Sequence, residues 1–289
     1  MPEFRTRLAD GWRRALGSLS LALVPLVIGL TNVGKVRSIA AFDGIHVGFR
    51  TGVPASVVTV WQFVSVPQMG VNVDPGVPVD ALPVAVVSVP LLLVGQAALA
   101  AGYFGCIADD LAGGEFRFVG NVVDYFVPFL FLTVLPVLVL LPVALGLFGL
   151  GATTADASAL LPLVLVGIVG FLVVSYLFYL TPYLVVLRDT GVLAAARGAY
   201  GLAVAGGPYL RYTAGVALFV LAVSPVVTVV VVNVPVVGLV VGHAAGSVVG
   251  LALNVTTMRF AADIDPASPS PSTDWEDRPD EPSHTSFDG

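Results

Sequence analysis

The chain has 289 residues, of which 57% are apolar and only 11% are charged. About a quarter of the residues in a soluble domain are charged, so this composition excludes a water-soluble globular protein. The net charge of −6 comes from the C-terminal end, because residues 263–289 hold eight acidic residues and one basic residue. The rest of the chain is nearly neutral, and without a basic surface we expect no nucleic-acid partner.

Long apolar runs decide which kind of membrane-crossing structure is present. Backbone polar groups in hydrocarbon must be hydrogen-bonded within the chain, which leaves α-helices or closed β-barrels. Barrel strands would alternate apolar and polar residues over about ten positions, whereas this chain has apolar runs of about twenty. We therefore predict an all-α integral membrane protein: a bundle of about six transmembrane helices in a lipid bilayer.

Residues 1–18 are predicted to form a cytoplasmic interfacial helix. An apolar residue recurs at every fourth position, while arginines and acidic residues fill the other faces. The apolar stripe consists of Phe4, Leu8, Trp12 and Leu16. A helix of this kind lies in the plane of the membrane surface. The alternative is a disordered leader.

Six apolar segments are predicted to cross the membrane between residues 19 and 260. They cover about residues 19–33, 83–107, 122–147, 160–186, 212–232 and 236–258. The first is short for a hydrocarbon core of about 30 Å, which needs about 20 helical residues. A secretory signal is the alternative for this segment, although residues 38–41 make a poor cleavage site and further spans follow.

Two longer segments are predicted to lie outside the spans. Residues 35–82 form an outer loop, in which residues 57–66 are apolar but too few to cross the bilayer. A surface helix, a strand and a re-entrant piece remain open for this apolar run. Residues 261–289 combine five prolines with serines and acidic residues, and this composition predicts a disordered acidic tail.

The basic residues predict the orientation of the spans. With the N-terminus inside, ten arginines fall on the inner side and only Lys35, Arg37 and Arg50 fall on the outer side. Because basic residues are enriched on the cytoplasmic side, we expect a multi-pass cell-membrane protein with both termini in the cytoplasm. Twelve of the thirteen basic residues are arginine, a usage that resembles haloarchaeal proteins.

The last span carries a stripe of small residues. Gly238, Gly242, Gly246 and Gly250 recur every four positions and therefore share one face of the helix. Glycine lets another helix approach to backbone contact. The stripe predicts a packing seam, either inside the chain or with a second copy or another membrane protein. A gliding surface in a moving transporter is the alternative.

Polar residues within spans are costly and mark candidate functional positions. Gln96, His243 and Asn254 lie deepest, and Asp124 lies at the inner end of the third span. These four are the candidate lining of a polar cavity. The alternatives are that His243 is a hydrogen-bonded packing residue and that Asp124 is an interface carboxylate.

A group of tyrosines falls near the inner ends of the fourth and fifth spans. Its members are Tyr176, Tyr179, Tyr183, Tyr209 and Tyr212. An aromatic belt at the membrane interface explains such a group, and a pocket for a lipid headgroup or ligand is the alternative. The sequence has no His-Glu-x-x-His run, cysteine cluster or P-loop. We therefore expect no enzyme activity, no cofactor and no metal site.

Two stretches carry a resemblance to a known family. The first is Gly102-Tyr103-Phe104-Gly105, followed by Asp109 and Gly113-Gly114. The second is Pro182-Tyr183-Leu184-Val185-Val186, followed by Gly191-Val192 and Ala194-Ala195-Ala196. Over about residues 1–260 the chain resembles uncharacterised six-span membrane proteins of haloarchaea, which are distantly similar to the membrane domain of some glycerophosphodiester phosphodiesterases. The resemblance implies the six-span fold and supplies no functional residues.

Two classes of function are consistent with these patterns. The first is a membrane scaffold or accessory subunit with no chemistry of its own. The second is a small-solute or lipid transporter with a mid-membrane cavity lined by Gln96, His243 and Asn254. An open cavity lined by these side chains would favour transport, whereas a packed bundle in which they bond to one another would favour the scaffold.

Overall fold

The computed structural model describes residues 3–52, 56–67, 82–153, 157–234 and 236–268. Helices dominate these residues, and none of them forms a strand. The helices are α1 (Phe4–Gly17), α2 (Leu23–Thr31), α3 (Val33–Ala40), α4 (Leu82–Leu111), α5 (Phe118–Thr153), α6 (Ala157–Leu177), α7 (Thr181–Leu187), α8 (Val192–Ala205), α9 (Pro208–Asn233) and α10 (Val237–Ile264). Two short 3₁₀ turns cover Leu19–Ala22 and Val60–Gln62.

Five helical segments in the described residues are long and apolar enough to cross a membrane. They are Val87–Leu111, Phe118–Val139, Leu165–Leu187, Pro208–Asn233 and Val237–Ile264. A sixth is present if Phe4–Gly17 and Leu19–Thr31, which meet at a bend of 96°, count as one span. The predicted all-α bundle of about six transmembrane helices is therefore confirmed.

The first predicted span is a short helix that stops inside the bundle. Leu19–Thr31 covers about 20 Å at the helical rise of about 1.5 Å per residue, less than a hydrocarbon core of about 30 Å. The chain breaks at Asn32, whose side chain accepts a hydrogen bond from the backbone N–H of Lys35 and caps α3. The carbonyl end of α2 therefore needs partners from other parts of the chain.

The fourth predicted span is divided into two helices. Helix α6 ends at Leu177, and α7 begins at Thr181 with Pro182 in its first turn. Proline has no N–H to donate, and its fixed φ suits the first turn of a helix. Pro182 therefore starts a new helix within the segment, residues 160–186, that the sequence predicts as one span.

Helix α10 is the centre of the bundle. Every residue from Leu251 to Ala262 is buried, so this part of the helix is covered on all sides. It contacts α1, α2, α9 and the 3₁₀ turn Val60–Gln62. By contrast, all ten residues from 165 to 174 on α6 are exposed.

The C-terminal end of α10 extends beyond its predicted boundary at residue 258 and reaches Ile264. Asp263 and Asp265, the first acidic residues of the predicted tail, therefore belong to the folded part. From residue 269 onward the predicted disordered tail lies outside the described residues.

The loop between α3 and α4 enters the bundle. We name residues 44–52 and 56–67 the inserted segment. Most side chains from Val57 to Val64 are buried, and the segment is non-helical apart from the 3₁₀ turn at Val60–Gln62. Of the three possibilities left open by the sequence, the structure has a buried, re-entering piece of chain. Residues 68–81 of the predicted outer loop lie outside the described residues.

Candidate functional site

Asn254 is the polar centre of the bundle. Its side-chain oxygen accepts hydrogen bonds from the backbone N–H of Val58 at 2.9 Å and from the Tyr103 hydroxyl at 3.2 Å. Its amide nitrogen donates to the carbonyl oxygen of Ser56 at 3.2 Å and to the Tyr183 hydroxyl at 2.8 Å. Both amide hydrogens and both acceptor positions are thereby used. Asn254 ties the inserted segment to α4, α7 and α10 at once.

Thr257 continues this polar centre by one helical turn. Its hydroxyl is 3.0 Å from the hydroxyl of Tyr179 and 2.9 Å from that of Tyr212. The same hydroxyl donates to the carbonyl oxygen of Leu253 at 2.8 Å, so the two tyrosines act as its donors. Tyr179, Tyr183, Tyr209 and Tyr212 are all buried. The aromatic-belt interpretation is therefore wrong for these four residues, because belt tyrosines face the membrane interface.

Three side chains of α9 hold the backbone of the inserted segment. The Asn233 amide exchanges two hydrogen bonds with the backbone of His46, at 2.8 and 2.9 Å. The hydroxyl of Ser224 accepts from the N–H of Arg50 at 2.7 Å. The hydroxyl of Thr228 accepts from the N–H of Ser65 at 2.9 Å. Irregular backbone is tolerated at membrane depth only where such partners exist.

These contacts give the path of the inserted segment. His46 lies beside Asn233, at the turn between α9 and α10, while Val58 lies beside Asn254. Asn254 is about 25 Å along α10 from Val237, at a rise of about 1.5 Å per residue. The chain then returns, because Ser65 bonds to Thr228 and lies 3.4 Å from the His46 ring. The segment descends more than half the length of α10 and comes back.

The glycine stripe of α10 is filled by the chain's own atoms. A Cβ added at Gly238 would collide with the carbonyl oxygen of Val230 on α9, and one at Gly242 would collide with the side chain of Val231. The other two glycines face the inserted segment. A Cβ at Gly246 would lie 2.7 Å from the Cβ of Val60, and one at Gly250 would collide with the carbonyl oxygen of Val58.

The stripe is thus a packing seam within one chain, and the inserted segment occupies its second half. A partner contact through α10 stays a prediction, and it would have to use the exposed face of the helix. That face includes Val237, Val240 and Val241.

Gln96 and His243 both lie near the carbonyl end of α2. Gln96 donates from its amide nitrogen to the Thr31 hydroxyl at 3.1 Å. His243 packs beside Gly29, and its Nδ1 is 2.8 Å from the carbonyl oxygen of Leu239. The Trp61 indole N–H donates to the carbonyl oxygen of Gly29 at 2.7 Å. Side chains from α4, α10 and the inserted segment therefore hydrogen-bond to the end of α2 or pack against it.

Asp124 is not part of either polar group. It lies on the exposed surface near the start of α5. Of the four predicted cavity residues, the structure brings Gln96 and His243 to one end of α2, places Asn254 deeper on α10, and leaves Asp124 at the surface.

Ion pairs gather at the other end of the bundle, where α1 packs along the C-terminal half of α10. Arg7 pairs with Asp263, and Asp10 pairs with Arg259. Two of these side chains, Arg7 and Arg259, are buried. Whether α1 also lies in the membrane surface stays a prediction.

Arg188 and Asp265 form a two-point ion pair at the same end. The guanidinium donates to both carboxylate oxygens, at 2.7 and 2.6 Å. Burial of Asp265 opposes ionisation, but hydrogen bonds from Arg188 and Ser268 outweigh it and lower the pKa of this carboxyl. The hydrogen bond to Asp265 in turn raises the pKa of Arg188. The pair joins the loop between α7 and α8 to the end of α10.

Sequence reasoning singled out Asn254 but missed its partners on the inserted segment. A usable signal was present in the second half of α9, where Ser224, Thr228 and Asn233 interrupt an otherwise apolar run. Hydroxyl and amide side chains recurring along one helix indicate that non-helical backbone lies beside it.

The fold and these contacts define a multi-pass α-helical membrane protein with a non-helical segment inserted into its bundle. No family model, no curated protein and no solved structure matches the chain. The arrangement of its own side chains therefore carries the functional argument.

Proposed function

We propose that this chain is a non-enzymatic membrane scaffold or accessory subunit. The observation that carries the proposal is the bonding of Asn254, whose donors and acceptors are all used within the chain. A solute site needs polar atoms that can exchange partners with a ligand, and here they are committed to holding the inserted segment. The two motifs behind the family resemblance supply Tyr103 and Tyr183 to this centre. We retain that resemblance as part of the proposal.

Transport is the second candidate, and one observation supports it. The ring nitrogen Nε2 of His243 is buried and meets no hydrogen-bond partner among the described residues. It lies beside the broken end of α2, and broken helices at membrane depth line the ion and substrate sites of many transporters. A small-solute or lipid carrier would use this group of residues, with Gln96 nearby.

Two measurements on the full chain separate these candidates. The first determines the mass of the protein released from native membranes by a mild detergent. The second records proton entry into vesicles that contain the purified protein and the dye pyranine. A scaffold is expected in a complex of fixed stoichiometry above its own 29.8 kDa, without proton entry beyond that of empty vesicles. A monomer that admits protons would reverse the assignment.

We also propose that the end of the bundle bearing Arg7, Arg188 and Arg259 faces the cytoplasm. Basic residues favour that side. The test uses single cysteines in a Cys106→Ala background and a membrane-impermeant maleimide on whole cells. Ile45→Cys, at the opposite end, should be labelled directly, whereas Arg13→Cys should be labelled only after permeabilisation. The reverse pattern would show that the orientation is inverted.

A further inference from the structure

The His243 side chain is only 2% exposed, yet one of its two ring nitrogens meets no partner in the described part of the chain. Nδ1 faces the carbonyl oxygen of Leu239 at 2.8 Å, and a carbonyl can only accept. Nδ1 therefore carries a hydrogen. In the neutral ring, Nε2 is then a bare acceptor, for which a buried position without a donor is unfavourable.

The groups around Nε2 suit a nitrogen that donates a hydrogen bond better than one that accepts it. A Cβ added at Gly29 would lie 3.8 Å from this nitrogen, so the carbonyl end of α2 is beside it. The Gly29 carbonyl oxygen accepts the Trp61 indole N–H at 2.7 Å and the Asn32 backbone N–H at the longer distance of 3.3 Å. An N–H at Nε2 would compete with the longer Asn32 bond for this oxygen. The Trp61 and His243 rings meet edge to face, with centroids 5.0 Å apart.

Few charged groups surround the ring. Residues 23–31 of α2, 224–233 of α9 and 237–250 of α10 include no acidic or basic residue except His243 itself. On the inserted segment its neighbour is Trp61, and on α4 the nearby Gln96 is neutral. Lys35 of α3 lies across Trp61, with its Nζ 5.8 Å from the centroid of that ring. Arg37 of α3 and Arg50 of the inserted segment are the other basic residues at this end of the bundle.

We propose that His243 is a proton-binding site buried between α2, α10 and the inserted segment. A proton from solvent forms an N–H bond at Nε2, and the resulting imidazolium carries one positive charge. Its two N–H groups donate to the carbonyl oxygens of Leu239 and Gly29. Proton uptake thereby adds a direct bond between α10 and α2, at the same carbonyl that anchors Trp61. This inference holds for a scaffold and for a carrier.

Trp61 fluorescence tests the proposal, because a protonated imidazole in contact with an indole quenches its emission. The protein would carry Trp12→Phe and Trp275→Phe, so that Trp61 is the remaining emitter, and would be held in lipid nanodiscs. As the pH falls from about 8 to about 4, the range in which histidine titrates, emission should drop in a single one-proton step. His46→Gln, on the same segment, should keep that step, and His243→Gln should lose it.

A flat profile in the protein with intact His243, or a step that survives His243→Gln, would overturn the proposal. Nitrogen-15 NMR of the ring gives a second test that does not depend on the folding of the His243 variant. In a His46→Gln, His284→Gln protein, the His243 signals should change from the neutral Nδ1–H form to imidazolium over the same range. A ring that stays neutral down to pH of about 4 would exclude the site.

Discussion

At the scale of single residues, Asn254 explains how a non-helical segment can lie inside an apolar bundle. An amide side chain offers two donor hydrogens and an oxygen with two acceptor lone pairs. Only asparagine and glutamine carry this group, and asparagine is the smaller of the two. Here those groups meet one backbone N–H, one backbone C=O and two hydroxyls. Removing the amide leaves three of these partners, on Val58, Tyr103 and Tyr183, buried without it, while Ser56 is half-buried.

Asn254→Ala should lower the free energy of unfolding by about 2–4 kcal/mol, since bonds between buried groups in membrane proteins contribute about 0.6–1 kcal/mol each. Asn233→Ala is the matched control. It removes two bonds to the same segment at the end of α9, and we expect a loss of about 1–2 kcal/mol. Unfolding titrations in mixed detergent micelles would measure both. Equal losses would contradict the central role of Asn254.

The Arg188–Asp265 pair makes stability depend on pH at the charged end. Because the pKa of Asp265 is lowered in the folded protein, the pair stabilises the fold fully above pH of about 4 and loses this effect as the pH falls through the lowered value. Asp265→Asn should therefore cost about 2 kcal/mol at pH of about 7. Its melting temperature should approach that of the parent protein in acid.

Asp124→Asn supplies the control for this pH dependence, because Asp124 is exposed. Its melting curve should follow that of the parent protein at every pH. If the difference in melting temperature between Asp265→Asn and the parent protein stays constant as the pH becomes acidic, the carboxylate charge does not stabilise the fold.

At the scale of elements, the glycines of α10 differ from those of α6 in what they face. A Cβ at Gly250 collides with backbone of the inserted segment, whereas one at Gly170 meets no described atom within 4 Å. Gly250→Ala should therefore destabilise the protein by about 1–3 kcal/mol. Gly170→Ala should be neutral or stabilising by up to about 1 kcal/mol, because alanine favours helix. Thermal unfolding in detergent compares the two, and a neutral Gly250→Ala would contradict the packing described for the seam.

How far each element could be predicted depended on its chemistry. The long helices were predictable because hydrocarbon imposes continuous apolar runs. The break at Pro182 and the early end of α2 at Thr31 were not, since a local apolar sequence continues through both. The inserted segment was left open for the same reason: residues 57–66 are apolar and β-branched, and only contacts with α9 and α10 decide that they are buried.

At the scale of the whole molecule, composition separates the central helix from the peripheral one. Helix α10 carries glycine, serine, threonine and asparagine on several faces, and its residues from Leu251 to Ala262 are covered on all sides. Helix α6 is apolar all round, and its residues 165–174 are exposed. In a bilayer small and polar residues mark helix contacts, while large apolar residues suit lipid. The glycine stripe predicted a packing seam on α10. Only the three-dimensional fold shows that α9 and the inserted segment fill this seam.

The central claim is that the inserted segment packs against α2 inside the bundle. A Cβ at Gly29 would lie 3.8 Å from the Cβ of Thr59, which matches the separation of about 3.8 Å in disulfides. Gly29→Cys with Thr59→Cys, in a Cys106→Ala background, should form an intrachain disulfide under mild oxidation in membranes, detected by mass spectrometry. Gly17→Cys with Thr59→Cys should not. Two free thiols at positions 29 and 59, both open to an impermeant maleimide, would contradict the insertion.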